Sequence, residues 1–248
     1  MNFKTRKFIF LIFVTVQIFI FCEHESIRLE PGSVNTGQVK FTGHDGYFNT
    51  LEFTFSVPLE YDSKKDWPVV ICLHENGSDV SAIIDKWKQI TDSLGYVLLV
   101  PHGDDWAGNG TLRNWGEDAY QSILLSLKTL RNIVRVNGRR ICLIGSNSSA
   151  EVANELCLRY RDIFCGVALL SVEVKGTLAP EVTKKVKHIN FFIAYVQPTT
   201  QVGVHPSLIE NILKQDGFRV MFEPSKEIIT DSGQISDDKR KDIIQFLN

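Results

Sequence analysis

The segment from Gly145 to Ser149 lies between an apolar run and an amphipathic stretch, and its residue types bear on nucleophilic chemistry. A buried strand that turns sharply into a helix presents the side chain at its apex, where a serine can act as a nucleophile. Here the apex is Asn147, and an amide has no ionisable hydroxyl with which to attack. Ser146 and Ser148 flank the apex and are the candidate substitute nucleophiles, although each is expected to point away from it.

These residues need elements that hold them, and the hydrophobic pattern predicts alternating strands and helices. Short runs of Val, Ile and Leu alternate with amphipathic stretches, a pattern typical of parallel strands buried on both faces. Strands are predicted at 37–42, 50–57, 68–73, 96–101, 140–144, 166–171, 189–196 and 218–223, and helices at 79–93, 117–136, 149–161, 206–215 and 235–247. The predicted fold class is α/β, with a mostly parallel central sheet and helices on both faces.

Polar loops follow three of the predicted strands, at 74–78, 102–115 and 145–150. In an open parallel sheet, ligands bind where the carboxyl ends of the strands meet their loops. We therefore expect these loops to form one cleft. Besides the residues around the apex, the candidate cleft residues are His74, Glu75, Asn76, Gly77, Trp115 and Gly145.

Four stretches of the chain carry a family resemblance: VPLEYDSKKDWPVVICLHENGSD, YVLLVPHGDD, NWGEDAYQSILLSLKTLRNI and RRICLIGSNSSAEVANELCLRYRDIF. Together they resemble secreted esterases of the α/β-hydrolase superfamily, in particular polyhydroxybutyrate depolymerases and feruloyl-esterase-like proteins. The resemblance covers about residues 48–172, and the C-terminal third matches only in the order of its elements. It implies an α/β-hydrolase fold and, where the catalytic residues are kept, ester hydrolysis.

The family's nucleophile elbow has the pattern G-x-S-x-G, and this chain departs from it twice. Gly145 matches the first glycine, while Asn147 replaces the nucleophile and Ser149 replaces the last glycine. Asparagine tolerates a positive φ better than most residues do, so the elbow itself is still expected. In the loop that resembles the family's oxyanion loop, His74 is expected to be structural and Glu75 replaces a glycine. A carboxylate there opposes stabilisation of an oxyanion, unless it turns outward to solvent.

The resemblance also implies an acid and a histidine later in the chain. The acid is expected after the strand at 189–196, but the segment QPTTQVGVHPS contains none, and Glu173 is a weaker substitute. The histidine is expected after the strand at 218–223, yet the last histidine of the chain is His205. General-base catalysis requires an imidazole within reach of the serine. The Ser-His-Asp triad is therefore predicted to be lost.

The first 22 residues form a leader in which three basic residues precede an apolar run from Phe8 to Cys22. That run is shorter than the about 20 residues of a membrane span and suits the core of a signal peptide. The segment after it lacks the small residues of a cleavage site, so a signal peptide and an uncleaved anchor both stay open. We expect a secreted or extracytoplasmic protein that meets the membrane only through this leader, followed by a linker at 23–36 and an α/β-hydrolase-like domain at 37–248.

Composition excludes several classes of function. The chain has 248 residues, 44% of them hydrophobic, and a formal charge of −2 without a basic stripe, which argues against a nucleic-acid partner. His74, His102 and Glu75 lack the spacing of a metal site, so no metal is expected, and no motif indicates a cofactor.

The cysteines do not form a disulfide framework in the sequence. Cys72 and Cys142 lie in predicted strands, Cys157 lies on a helix and Cys165 precedes a strand. Four dispersed cysteines favour buried free thiols over structural disulfide bonds. A Cys157–Cys165 or a Cys72–Cys142 bridge stays open.

Three hypotheses follow. The first is an esterase-like protein without triad catalysis that binds a ligand or partner through its cleft. The second is an active hydrolase of esters or polyesters that uses Ser146 or Ser148. The third is an unrelated α/β binding domain. Candidate ligands are small esters, polyesters or carbohydrate-linked compounds. Trp106, Trp115 and Tyr120 could stack on sugars or aromatic acids, although core packing is the expected role of at least one of them.

Overall fold

The computed structural model describes residues 28–107, 112–173, 189–196, 206–215, 217–228 and 235–248. The larger sheet contains strands β1 (Val34–Thr42), β2 (Phe48–Ser56), β3 (Trp67–Leu73), β4 (Val97–Pro101), β7 (Val136–Ser146), β8 (Gly166–Glu173), β9 (Asn190–Val196) and β10 (Arg219–Pro224), and a separate hairpin contains β5 (Asp105–Ala107) and β6 (Leu112–Asn114). The helices are α1 (Val80–Leu94), α2 (Ala119–Ile133), α3 (Ser148–Arg159), α4 (Pro206–Gln215), α5 (Ser225–Ile228) and α6 (Asp237–Phe246).

The central sheet has eight strands in the order β1-β2-β4-β3-β7-β8-β9-β10. β1 pairs antiparallel with β2, and β2 pairs antiparallel with β4. From β4 to β10 all neighbours run parallel. Every residue of β3 and β4 is buried, because parallel strands at the centre of a sheet are covered on both faces. The prediction of a mostly parallel α/β sheet is confirmed.

Helices cover both faces of the sheet, and each face has its own hydrophobic core. On one face, α2, α3 and α4 pack on alternate strand residues such as Ile71, Leu143 and Leu169. On the other face, α1 and α6 pack on the intervening residues, among them Cys72 and Ile144. The period of two in side-chain direction along each strand produces this division.

Some boundaries differ from those predicted. The helix predicted at 117–136 ends at Ile133, since Val134 adopts an extended conformation and Val136 already pairs with Trp67 of β3. β1 begins at Val34, three residues before its predicted start. The β5–β6 hairpin and α5 were not predicted, because three- and four-residue elements carry no readable periodicity. None of the helices in the described part of the chain has the length and apolarity needed to cross a membrane.

Candidate functional site

Asn147 lies at the apex of the turn between β7 and α3. Its backbone has φ 47° and ψ −116°, a region that is strained for residues other than glycine. Two backbone hydrogen bonds hold the apex: its N–H donates to the carbonyl of Leu170 at 2.9 Å, and its carbonyl accepts from Ala150 at 3.2 Å. The turn therefore retains the geometry of a nucleophile elbow while carrying an amide.

Close contact between β7 and α3 makes the elbow tight. A Cβ atom added at Gly145 would lie 2.5 Å from the carbonyl oxygen of Ser149 and 2.9 Å from the Cα of Ala150. Ser149 is fully buried, and its hydroxyl accepts from the N–H of Ser146 at 2.9 Å and faces the carbonyl of Leu73 at 3.1 Å. A serine fits at this position because its hydroxyl is hydrogen-bonded to the neighbouring backbone.

Glu75 is turned inward onto the elbow. Its Oε1 accepts from the hydroxyl of Ser146 at 2.9 Å and from the side-chain amide of Asn147 at 2.9 Å. The alternative of an outward, solvated Glu75 is wrong, because the carboxylate finds two donors at the turn. A negative charge beside the apex opposes the development of an oxyanion there.

Asn76 and Gly77 fix the rest of this loop. The N–H of Asn76 donates to the hydroxyl of Ser148 at 2.8 Å, and its side-chain oxygen accepts from the N–H of Trp115 at 3.0 Å. Gly77 has φ 71° within a turn closed by a 3.0 Å bond from Ser78 N to Glu75 O. A positive φ at this turn position favours glycine. The backbone N–H of Asn76 is therefore already hydrogen-bonded to Ser148 of the elbow.

His74 is fully buried and supports the loop from behind. Its Nε2 accepts from the N–H of Gly103 at 2.9 Å, so the ring proton resides on Nδ1, which donates to the carbonyl of Glu75 at 2.8 Å. The ring stacks on Trp115 with centroids 4.6 Å apart, and the indole N–H of Trp115 donates to the carbonyl of His74 at 2.7 Å. Both ring nitrogens of His74 are therefore hydrogen-bonded to backbone groups that hold the loop in place.

A cleft of about 190 Å³ lies beside the elbow. Its described lining is Glu75, Ser78, Asp79, Ala82, Ile83, Lys86, Trp87, Ser146, Asn147, Leu170, Ser171, Ile235 and Arg240. The guanidinium of Arg240 lies 5.9 Å from the centroid of the Trp87 ring and pairs with Asp237. Its side chain is 12% exposed and its Nε has no hydrogen-bond partner. The described lining thus combines two carboxylates, three serine hydroxyls and two cations, of which Arg240 is largely buried.

Known proteins resemble this chain in structure rather than in sequence. No protein-family model and no curated protein sequence matches it. A thermostable esterase superposes with a TM-score of 0.57 at 14% identity over 85% of this chain, which spans only 60% of that esterase. A ferulic acid esterase gives 0.56 at 13% identity, covering 87% of this chain and 96% of that one. The poly(3-hydroxybutyrate) depolymerase of Bordetella parapertussis gives 0.53 at 12% identity, covering 86% and 94%.

This chain has the α/β-hydrolase fold. The resemblance to esterases that the sequence carries is confirmed at the level of the fold. Identities of this size do not transfer an activity, so the chemistry depends on the residues at the elbow.

Hydrolysis by a Ser-His-Asp triad needs an imidazole hydrogen-bonded to the nucleophile, and the hydrogen bonds given for the described histidines lead to other groups. His44 lies in the β1–β2 turn, where its hydrogen bond to the Asp118 carboxylate raises its pKa, and the Nε2 of His102 contacts Thr54 Oγ1 at 3.1 Å. The hydrogen-bond partners of Ser146 and Ser148 are Glu75 and the Asn76 amide rather than an imidazole. His205, the loop at 197–205 and the side chain of Glu173 lie outside the described residues.

The described lining of the cleft includes three of the predicted site residues, Glu75, Ser146 and Asn147. The others hold the adjoining loop and elbow through the contacts given above; they are His74, Asn76, Gly77, Trp115, Gly145 and Ser148. Trp115 packs on His74, the Tyr120 hydroxyl donates to Glu155, and the side chain of Trp106 is not described. Sequence reasoning missed Trp87 on α1 and Arg240 on α6, since no local signal relates these two helices to the elbow.

Proposed function

We propose that this protein is an exported, non-hydrolysing member of the α/β-hydrolase fold that binds a small ligand in the cleft beside Asn147. The observation that carries the proposal is the position of Glu75, whose carboxylate is bonded to both Ser146 and Asn147. A charge fixed there disfavours the oxyanion of acyl transfer. The amide at the apex supplies no nucleophile. Export rests on the leader at 1–22, through which alone we expect contact with a membrane.

The cleft favours a small ligand that carries a carboxylate. Its volume of about 190 Å³ is below the roughly 300–1,000 Å³ of most drug-sized pockets. Arg240 contributes a largely buried guanidinium with an unpartnered Nε, and a guanidinium binds carboxylates through paired hydrogen bonds. Trp87 provides an aromatic surface in the same cleft. Ferulate and 3-hydroxybutyrate are suitable probes, because structural neighbours are a ferulic acid esterase and a poly(3-hydroxybutyrate) depolymerase.

Absence of triad chemistry is tested by restoring a serine at the apex. We expect that neither the wild-type protein nor Asn147→Ser reacts with a fluorophosphonate probe or hydrolyses a nitrophenyl ester above the buffer rate. Among the described residues the new hydroxyl would lack the imidazole of a triad, a general base that contributes roughly 10²–10⁴-fold, and it would face the Glu75 carboxylate. An active serine esterase serves as the positive control. Covalent labelling of the wild type that Ser146→Ala or Ser148→Ala abolishes would contradict the proposal.

One observation favours the second candidate, an active carboxylic-ester hydrolase. The Ser146 hydroxyl donates to the Glu75 carboxylate at 2.9 Å, so a base is in contact with a hydroxyl. Ser148 is less suited, because its oxygen already accepts from the Asn76 N–H. If Ser146 were the nucleophile, Ser146→Ala and Glu75→Gln would both abolish ester hydrolysis, and Asn147→Ala would spare it.

Ligand binding is tested by thermal unfolding with and without the probes. A ligand at 100 times its Kd adds about 2.7 kcal/mol to the free energy of unfolding, which raises the Tm of a chain of this size by roughly 5–10 °C. We expect such a shift with ferulate or 3-hydroxybutyrate, a smaller one for Arg240→Lys and none for Arg240→Gln. Arg139→Gln removes an exposed arginine from β7 and is the matched control. Equal shifts in Arg240→Gln and the wild type would exclude Arg240 as the anchor.

A further inference from the structure

Two thiols meet at the start of β8. Cys142 lies in β7 opposite Gly166, and Cys165 immediately precedes Gly166 in the chain. The two sulfur atoms are 3.1 Å apart, with one thiol donating to the other. Both are free thiols in this structure. The register of the two parallel strands therefore pairs Cys142 with Cys165. This pair is neither of the two bridges that the sequence left open.

The two thiols differ in access to solvent and in acidity. Cys142 is fully buried, while Cys165 is partly buried at the rim of the core. The hydrogen bond from Cys142 lowers the pKa of Cys165, and backbone hydrogen bonds and the charge of Arg140 lower it further. The same hydrogen bond, together with burial, raises the pKa of Cys142. Burial raises the pKa of Cys72 and of Cys157. Cys165 is therefore the cysteine of the described residues best suited to react as a thiolate.

We propose that Cys142 and Cys165 form a redox-active dithiol that closes to an intramolecular disulfide when it meets a small disulfide such as oxidised glutathione. The thiolate of Cys165 attacks one sulfur of the small disulfide, forms a mixed disulfide and releases one thiol. Cys142 then attacks the Cys165 sulfur, and its proton passes to the departing sulfur, which leaves as the second thiol. Two protein thiols are oxidised and one small disulfide is reduced, so electrons and protons balance.

The disulfide would enclose the elbow. The two cysteines are 23 positions apart, and the chain between them contains the end of β7, Asn147 and all of α3. Closing a loop of this length restricts the unfolded chain. The oxidised protein is therefore expected to unfold at a temperature roughly 6–12 °C above that of the reduced protein. This modification site is independent of the ligand proposed for the cleft.

The test treats the reduced full-length protein with a glutathione redox buffer, blocks free thiols and maps the peptides. Trypsin cleaves after Arg140 and leaves Cys142 and Cys157 on one peptide, so cleavage after Glu151 is needed to separate them. We expect a cross-linked pair containing Cys142 and Cys165, lighter by two hydrogens than the separate peptides. Cys157→Ser is the matched control and should form the same cross-link with the same rise in Tm.

The variant Cys142→Ser separates the two chemical steps. It should retain glutathione on Cys165, because the residue that resolves the mixed disulfide is missing, and its Tm should not rise on oxidation. Three results would overturn the proposal. They are full alkylation of both cysteines in the oxidised wild type, a lasting glutathione adduct on wild-type Cys165, or a cross-link from Cys165 to any other cysteine.

Discussion

Replacing Gly145 with alanine is expected to lower the free energy of unfolding by about 3 kcal/mol, the upper end of overpacking costs in a tight core. The new Cβ would lie 2.5 Å from the carbonyl oxygen of Ser149 and 2.8 Å from its carbonyl carbon. Both are backbone atoms at the start of α3, so no side chain can rotate away to relieve the clash. The helix would have to move off β7, and the hydrogen bonds of Ser149 to Leu73 and Ser146 would stretch.

The matched control is Gly138→Ala on the same strand. A Cβ at Gly138 meets no atom within 4 Å, so this substitution should be neutral or should stabilise the fold by up to about 1 kcal/mol through the unfolded chain. Urea unfolding measured by circular dichroism compares both variants with the wild type. If Gly145→Ala lost less than about 1 kcal/mol, within the range of ordinary surface changes, β7 and α3 would not be as close as the structure has them.

Glu75 and Asn147 are joined by a hydrogen bond between their side chains. A strained apex with an amide side chain offers a hydrogen-bond donor, and the carboxylate of Glu75 accepts from it and from Ser146. A carboxylate in that position would be a liability next to a working nucleophile. Here it ties the β3–α1 loop to the elbow. Two of the departures from the esterase pattern, Glu75 and Asn147, are therefore joined in one contact.

The fold could be predicted because its signals are local. Runs such as 68–73 and 96–101 contain only residues that suit a strand buried on both faces. α1 has Ile83, Trp87 and Ile90 on a single buried face. The end of α2 was predicted too late, because an apolar pattern does not reveal that Val136 already pairs with Trp67.

The candidate site could be predicted only in part, because its contacts join distant parts of the chain. The apex was recognisable from a strand, a turn and a helix in succession. The direction of Glu75 was not, because its donors lie more than 70 positions later in the sequence. The contact of Cys142 with Cys165 depends on the strand register, and a shift of one residue would turn a side chain to the opposite face.

Replacing His74 with alanine is expected to destabilise the protein by about 3 kcal/mol, as the sum of a buried cavity and an unsatisfied donor. The N–H of Gly103 would lose its acceptor in a buried position, and the carbonyl of Glu75 would lose the donor on Nδ1. Trp115 would lose the ring on which it stacks. The loop that carries Glu75 would then be held on one side only, by its bonds to the elbow.

Urea unfolding measures the stability of His74→Ala, and the nitrogen resonance of the Trp115 indole reports on the loop, since that N–H donates to the carbonyl of His74. His44→Ala is the matched control. His44 is half-exposed and its ring contacts the Asp118 carboxylate. That carboxylate would keep the hydrogen bond from the backbone N–H of residue 44, so removal of the ring should leave the unfolding midpoint near that of the wild type. Equal effects of the two substitutions would mean that His74 does not support the loop. In that case the bonds to Ser146 and Asn147 alone would hold Glu75 inward.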